Sequence, residues 1–151
     1  MRALRLYLDT SVIGGCLDEE FAEHSNRLMR EVVKGRYFVL LSDLVLEELA
    51  GAPERVRREF ERIPGEAIGL VPLTDSVKEL RDAYLRRGIL TPSSKNDATH
   101  VALATISGAD AIVSWNFRHI VQLGKMKAYN EVNGEYGYGH LDIVSPRELE
   151  P

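Results

Sequence analysis

The sequence predicts an α/β protein, built as a three-layer α/β/α sandwich around a mostly parallel central sheet. Short apolar runs typical of strands alternate along the chain with amphipathic segments typical of helices. The run YFVLL at Tyr37–Leu41 is apolar throughout, which indicates a strand buried on both faces, as in parallel sheets. No linker divides the 151 residues, so we predict a single domain over residues 1–151.

Strand signals recur along the chain at intervals long enough for a helical crossover. In the first, leucine alternates with other residues over LRLYL, and the run ends at Asp9. The others are short apolar runs bounded by turn-forming residues. The predicted strands, in chain order, are Leu4–Leu8, Tyr37–Leu41, Ala67–Val71, Ala111–Trp115 and Leu141–Val144.

Helix signals fill the intervals between the strands. Apolar residues recur at helical spacing, Ser42 is a candidate cap for the third helix, and Gly35 is a good helix stop. The predicted helices, in chain order, are Ser11–Leu17, Asp18–Gly35, Asp43–Gly51, Pro53–Arg62, Ser76–Arg87, Asn96–Ser107, Phe117–Gly124 and Met126–Asn133. We predict a loop at Ile89–Lys95, which contains Pro92.

The composition disfavours several classes of protein. No apolar segment approaches the roughly 20 residues that span a bilayer, and no signal sequence opens the chain, so we expect no membrane association. Cys16 is the only cysteine, which excludes an internal disulfide and favours a reducing cytoplasm. The net charge of −4 disfavours non-specific binding of nucleic acid through overall charge.

Asp9 stands where the first strand ends. In open α/β sheets, ligands bind beyond the carboxyl ends of the strands, so a carboxylate there is a candidate functional group. Aspartate is also preferred at the start of a helix, and most aspartates at such turns are caps. Taken alone, Asp9 therefore favours a capping role, and a chemical role depends on other acids joining it.

Glu48 falls on the apolar face of the helix that follows the second strand. That face comprises Leu44, Val45, Leu49 and Ala52. Glu48 lies within it, whereas Glu47 points well outside. A carboxylate on a core-facing stripe is costly unless it is paired or bound to a metal ion. The alternative is a side chain that reaches water from the edge of the stripe, and the pattern supports both equally.

Asp97 begins the helix that precedes the fourth strand. The residues SKND at 94–97 fit a capping box with Asp97 at the third helical position, and these residues alone favour that structural role. Asp97 also shares a helical face with Val101 and Ala104, which should pack on the sheet. Because this helix returns the chain to the start of a strand, Asp97 would point towards the carboxyl edge of the sheet.

Asn116 follows the fourth strand and belongs to the same edge as Asp9. Its amide can hydrogen-bond a carboxylate or offer an oxygen to a cation, although asparagine is also an ordinary turn residue. Asp9, Glu48 and Asp97 thus converge on one edge of the predicted sheet. Clustered carboxylates without paired histidines or cysteines suit Mg²⁺ or Mn²⁺ rather than zinc.

The chain resembles the PIN domain, the metal-dependent ribonuclease fold of the virulence-associated protein C (VapC) toxins of toxin–antitoxin pairs. The resemblance extends over nearly the whole chain. It rests on the segments YLDTSVIGG, LSDLVLEELAGA, KNDATHVALATISGADAIVSWNFRHI, EVNGEYGY and LDIVSPREL. These motifs are degenerate one by one, but their order and spacing together are specific. Compared with compact toxins, the C-terminal segment from about 125 to 151 is extended.

The resemblance implies roles for five residues. Asp9, Glu48 and Asp97 match the three catalytic acids that hold the metal. Ser11 matches a hydroxyl that supports the first acid. Many members carry a fourth acid where this chain has Asn116, which is therefore expected only to assist. That departure weakens one metal position.

The resemblance also implies an activity: a Mg²⁺- or Mn²⁺-dependent endoribonuclease in which an activated water attacks phosphorus in line, leaving a 3′-hydroxyl and a 5′-phosphate. Lys95 and Arg118, and more weakly His119, are candidates for holding the RNA backbone. None of the four histidines is assigned to the metal, and His100 is expected to be a packed or edge residue.

A toxin would have a cognate antitoxin as its partner, and homodimers are common in such families. We expect an antitoxin to lay a hydrophobic segment across the helices predicted at Asp18–Gly35 and Asp43–Arg62.

The main alternative is a non-catalytic PIN-like module that binds RNA or protein, which Asn116 favours. A phosphatase of the haloacid dehalogenase type needs a second aspartate two residues after the first, where this chain has Ser11. A phospho-receiver domain needs adjacent acids at the end of the first strand, where Asp9 stands alone. Both of these classes are disfavoured.

Overall fold

The computed structural model describes residues 2–149 and shows one five-stranded sheet, parallel throughout. The strands are β1 (Leu4–Leu8), β2 (Tyr37–Ser42), β3 (Ile68–Val71), β4 (Ala111–Val113) and β5 (Asp142–Val144). They lie side by side in the order β3-β2-β1-β4-β5, and each neighbouring pair is parallel. The predicted strands are confirmed, with ends that differ by a few residues.

Helices cover both faces of the sheet. They are α1 (Thr10–Gly15), α2 (Ala22–Val33), α3 (Asp43–Ala50), α4 (Glu54–Phe60), α5 (Asp75–Arg86), α6 (Lys95–Ile106) and α7 (Leu123–Glu135). Three short 3-10 helices lie at Gly65–Ala67, Pro92–Ser94 and Pro146–Leu149. Because α1 packs with α2, α3 and α4, while α5 packs with α6 and α7, the predicted α/β/α sandwich is confirmed.

The strand order places a crevice at the end of β1. The chain builds β1, β2 and β3 outward on one side and then returns to add β4 and β5 on the other. Ligands of open parallel sheets bind beyond the carboxyl ends of the strands at such a reversal. Asp9 follows β1 at this point, and its backbone N–H donates to Val113 O of β4 at 3.3 Å.

The core lies against both faces of the central strand. Leu6, Tyr7 and Leu8 are at most 1% exposed, so alternation along β1 separates two buried faces rather than a core face and a solvent face. On α6, every residue from Ala98 to Thr105 is buried. A polar group at the start of α6 is therefore held on a rigid element inside the molecule.

Two stretches that the sequence predicts as helical form turns instead. Asp18 Oδ1 accepts from the Glu20 amide at 2.8 Å within a turn, and α2 begins only at Ala22. Residues 117–120 form turns rather than the start of the helix predicted at Phe117–Gly124, because Gln122 is extended and its side chain caps a new helix, α7. The predicted helix Met126–Asn133 lies within α7, and Ser42 caps α3 as predicted.

The C-terminal segment is part of the sandwich as far as residue 149. It supplies most of α7, the edge strand β5 and the last 3-10 helix, which packs on α2. Residues 150–151 lie outside the described range. No helix in residues 2–149 has both the length and the apolar character needed to cross a membrane.

Candidate active site

Asp9 is a buried carboxylate held by two serine hydroxyls. It is 4% exposed, and Ser11 Oγ donates to its Oδ1 at 2.5 Å while Ser114 Oγ donates to its Oδ2 at 2.6 Å. Although Asp9 precedes the first residue of α1, its side chain caps no amide of that helix. The capping role that Asp9 favours in isolation is therefore wrong.

The surroundings of Asp9 resist its ionisation. Burial raises the pKa of Asp9, and the nearby Asp97 carboxylate raises it further. The charge interaction with His100 and the bonds from Ser11 and Ser114 lower the pKa but do not offset burial. Ionised Asp9 is thus costly in this setting, and a cation close to it would favour the charged form.

Ser11 and Ser114 tie three elements together around Asp9. The Trp115 amide donates to Ser11 Oγ at 2.9 Å, and the Asn116 amide donates to Ser114 Oγ at 2.9 Å. The backbone N–H of Ser114 donates to Val144 O of β5 at 3.0 Å. The ends of β1, β4 and β5 therefore fix the orientation of one carboxylate.

Glu48 lies at the edge of the apolar face of α3, with 32% of its side chain exposed. Thr10 Oγ1 and His100 Nε2 both lie 2.8 Å from Glu48 Oε1, and neither bond uses Oε2. Burial raises the pKa of Glu48, but the bonds from His100 and Thr10 outweigh it and hold the pKa below its usual value. Its neighbour Glu47 is exposed, as predicted.

His100 connects Glu48 to the core of the sheet. Tyr7 Oη lies 2.8 Å from both His100 Nδ1 and Ser42 Oγ, and the His100 side chain is 3% exposed. When His100 is neutral, one arrangement of donors satisfies all three bonds: Ser42 donates to Tyr7, Tyr7 donates to Nδ1, and Nε2–H donates to Glu48.

The sequence predicts that His100 is a packed or edge residue, but it does not predict the bond to Glu48. The available signal was its position three residues after Asp97, on the same helical face. Tyr7 supplied a second signal, since a buried tyrosine hydroxyl needs a partner.

Asp97 is half-buried in the first turn of α6. Burial raises the pKa of Asp97 and the Glu48 carboxylate raises it further, whereas His119, His100 and a hydrogen bond with the Asn116 side chain lower it. The predicted capping box is absent from this end of α6, where the Ser94 side chain makes no capping bond and instead lies 3.4 Å from His119 Nε2.

Asn116 combines the two roles that its position allows. Its Oδ1 accepts from the amides of Arg118 and His119 at 3.2 and 2.8 Å, which forms the turn after β4. Its side chain also acts on Asp97 and lowers the pKa of that carboxyl. The residue at the family's usual fourth acidic position therefore shapes a loop and supports the third acid.

Lys95 and Arg118, the candidates for RNA contact, line different cavities. Lys95 lines one of about 310 Å³ whose wall also contains Asp43 and Glu47. Arg118 lines one of about 400 Å³ together with His119 and Lys125. Lys95 therefore shares a wall of mixed charge, which also contains Arg81, whereas the residues beside Arg118 in the second cavity include a further lysine and a histidine.

The donor set suits a hard cation in its chemistry. Three carboxylates face one edge of the sheet, and two of them have pKa values raised in part by another member of the set. As the side chains stand, however, no three Asp, Glu, His or Cys residues within residues 2–149 are grouped closely enough to hold a metal ion. Glu48 Oε1 is bonded instead to His100 Nε2 and Thr10 Oγ1.

Comparison with known proteins identifies the family. A profile of the PIN domain matches residues 6–120, which is most of the chain. The chain therefore belongs to the PIN domain family, as the sequence motifs predict. No curated protein matches the chain at a significant level.

Solved structures share this fold at low sequence identity. VapBC2 from Rickettsia felis, bound to a DNA fragment from its promoter, is 14% identical, with 94% of this chain and 98% of that chain covered and a TM-score of 0.60. FitAcB from Neisseria gonorrhoeae is 15% identical, with 95% and 99% covered and a TM-score of 0.61. The sarcin-ricin loop cleaving toxin VapC20 of Mycobacterium tuberculosis is 15% identical, with 91% and 98% covered and a TM-score of 0.56.

Proposed function

We propose that this PIN-domain protein is a Mg²⁺- or Mn²⁺-dependent endoribonuclease with Asp9, Glu48 and Asp97 as its catalytic residues. The observation that carries the proposal is the electrostatic coupling of these acids beyond the ends of β1 and β2: Asp97 raises the pKa of Asp9, and Glu48 raises that of Asp97. Family membership supports the nuclease class, and the RNA-cleaving activity in the name of VapC20 supports the substrate.

The contacts of each residue suggest its role in the proposed reaction. When bound, a divalent cation lowers the pKa of a coordinated water and offsets the negative charge of the phosphodiester. Asp9, Asp97 and Glu48 would hold that cation. Ser11 and Ser114 orient Asp9, while His100 and Thr10 orient Glu48.

The net charge explains why the cation is needed. The chain carries −4, and three carboxylates at the site would repel a phosphodiester. A metal ion converts this repulsion into attraction at the reacting phosphorus. Substrate cleavage should therefore depend on divalent metal and cease with a chelator.

The decisive experiment compares two adjacent glutamates on α3. With Mn²⁺ and a labelled RNA, we expect Asp9→Asn, Asp97→Asn and Glu48→Gln to lose at least about 100-fold in cleavage rate. Glu47→Gln makes the same change in charge one residue away on the exposed face and should keep the wild-type rate. Unchanged cleavage in Asp9→Asn or Asp97→Asn would reject the assignment.

A non-catalytic RNA-binding module is the second candidate. It is favoured by the absence, within residues 2–149, of three grouped ligand side chains, and by the use of Asn116 in a turn. The same assay separates the two functions: a binding module retains RNA in a gel shift with and without Mn²⁺ but releases no shorter fragments.

We further propose a role as the toxin of a type II toxin–antitoxin pair acting on cytoplasmic RNA. Support comes from the likeness in fold to VapBC2 and VapC20. Induced expression in bacteria should arrest growth, and Asp97→Asn should relieve the arrest. Co-purification would reveal an antitoxin, and sedimentation would show whether the protein forms the expected homodimer.

A further inference from the structure

A polar cavity of about 400 Å³ is lined by Ser94, which precedes α6, and by residues of the turn after Asn116. We call it the basic cavity. Its polar side chains come from the 3-10 helix before α6, the turn after Asn116 and the start of α7. They are Thr91, Ser93, Ser94, Arg118, His119 and Lys125. Among residues 2–149, no carboxylate lines it, whereas the cavity lined by Lys95 contains Asp43 and Glu47 together with Arg81.

The two permanent cations of this cavity are not neutralised by neighbouring acids. In the described part of the chain, neither Arg118 nor Lys125 forms an ion pair with a carboxylate. Lys125 Nζ donates to Ile89 O at 2.7 Å, which fixes the ammonium at the wall. An ammonium has three donors, so two remain for a ligand.

The neutral groups add donors suited to an anion. Thr91 Oγ1 and Ser93 Oγ lie 2.8 Å apart, and Ser94 Oγ lies 3.4 Å from His119 Nε2. The hydroxyls of Thr91, Ser93 and Ser94 therefore line the cavity as neutral donors.

Asn116 joins the basic cavity to the carboxylate site. Its Oδ1 accepts from the amides of Arg118 and His119, which line the cavity, and its side chain acts electrostatically on Asp97. An acid at position 116 would place a negative charge between the basic cavity and the carboxylate site. The amide instead holds the turn without weakening the positive potential of the cavity.

We infer that the basic cavity binds a backbone phosphate of the RNA strand, one that flanks the phosphate held at Asp9, Glu48 and Asp97. This inference rests on the proposed ribonuclease function and names the contact that orients the strand. A protein of net charge −4 needs a local positive site to hold an RNA backbone, and the Arg118–Lys125 pair provides one beside the acids.

The test measures how salt affects RNA binding. Every sample carries Asp9→Asn so that a short single-stranded RNA stays intact, and Kd is measured over a range of KCl concentrations. Arg118→Met and Lys125→Met should each weaken binding several-fold and lower the slope of log K against log salt by about 0.7, the value for one lost phosphate contact on a single strand.

Lys127→Met is the matched control because it removes the same charge from α7 two residues away, outside this cavity. It should leave the slope unchanged. An equal loss in Lys127→Met, or unchanged slopes in both cavity variants, would overturn the inference. In the chain with Asp9 intact, Arg118→Met and Lys125→Met should raise KM more than they lower kcat. If the unmodified protein neither binds nor cleaves RNA, the proposed function itself fails.

Discussion

The acids of the site are held largely by neutral donors. Serine hydroxyls bond both oxygens of Asp9, and Thr10 bonds Glu48. Neutral donors orient a carboxylate and lower its pKa, but they leave its negative charge uncompensated. For Asp9 this is insufficient to offset burial. Ionised Asp9 therefore costs folding stability, and the proposed cation would offset that cost.

The pH dependence of stability should reveal that cost. Because the pKa values of Asp9 and Asp97 are raised in the folded protein, the folded state binds protons more tightly, and these residues destabilise it most at neutral pH. In a chelator, the stability of Asp97→Asn relative to wild type should be highest at neutral pH. This relative stability should decline as pH falls through the raised pKa of Asp97 in the folded wild type.

Denaturant unfolding over that pH range measures the difference, with Glu47→Gln as the exposed control. The lowered pKa of Glu48 stabilises the folded protein at neutral pH and so partly masks the effect of Asp97. The free energy of unfolding of the variant is therefore compared with that of wild type at each pH. A relative stability that stays constant with pH would contradict the raised pKa of Asp97.

His100 should be energetically coupled to Glu48. Removing the ring by His100→Leu leaves the buried Tyr7 hydroxyl without one partner and Glu48 without a donor. A double-mutant cycle with Glu48→Gln should give a coupling free energy of about 1–2 kcal/mol. The cycle that pairs His100→Leu with Glu47→Gln should give none, and equal values in the two cycles would refute a specific contact.

The sequence predicted three acids and, in Ser11, one hydrogen-bond partner of Asp9, but it did not predict the partners of Glu48. Asp9, Glu48 and Asp97 follow from strand ends and helical faces, which depend on local periodicity. The Tyr7–His100–Glu48 chain joins residues 93 and 52 positions apart, and no local pattern records which side chains meet across a sheet. The capping predictions for Asp9 and Asp97 failed because hydroxyl and amide groups from distant segments compete for those side chains.

The short helix α1 depends on a close approach at one glycine. A Cβ on Gly15 would lie 2.6 Å from both Ser25 Oγ and Trp115 Nε1, which are hydrogen-bonded to each other at 2.8 Å. Since α1 carries Ser11, its seating against these residues determines where one donor to Asp9 lies. Gly14, the preceding residue, has open space around it.

This contrast predicts opposite effects from the same substitution. Gly15→Ala should lower the free energy of unfolding by about 1–3 kcal/mol through overpacking. Gly14→Ala should raise it by about 0.5–1 kcal/mol, because alanine favours the helix and restricts the unfolded chain. Thermal unfolding of both variants tests this, and equal losses would show that the packing around Gly15 is not specific.

At the scale of helices and strands, the spacing of apolar residues predicted most elements correctly, whereas the turn after β4 was predicted wrongly. The strands and long helices were predicted because their apolar spacing reflects two buried faces and an amphipathic surface. The stretch after β4 was misassigned because its apolar residues fit helical spacing, whereas Gln122 is extended and caps α7, which separates that stretch from the helix that follows.

Folding and metal binding should be linked across the molecule. If Mn²⁺ binds the folded protein alone, concentrations near 100 times Kd add about 2.7 kcal/mol, which is worth roughly 5–10 °C in Tm for a chain of this size. Calorimetry should show this shift for wild type and Glu47→Gln. The Mn²⁺-induced shift in Tm should be lost in Asp9→Asn and reduced in Glu48→Gln. An equal shift in all four proteins would show that Mn²⁺ binds outside the proposed site.

The edge strand β5 determines when the site is complete. Val144 anchors the backbone of Ser114, whose hydroxyl holds Asp9, and β5 is the last strand of the sheet to be synthesised. A nascent chain whose residue 144 has not yet emerged from the ribosome lacks this anchor, although it already contains all three acids. We expect stalled nascent chains ending before β5 to cleave RNA poorly. The order of translation would then delay activity beside the messenger that encodes the protein.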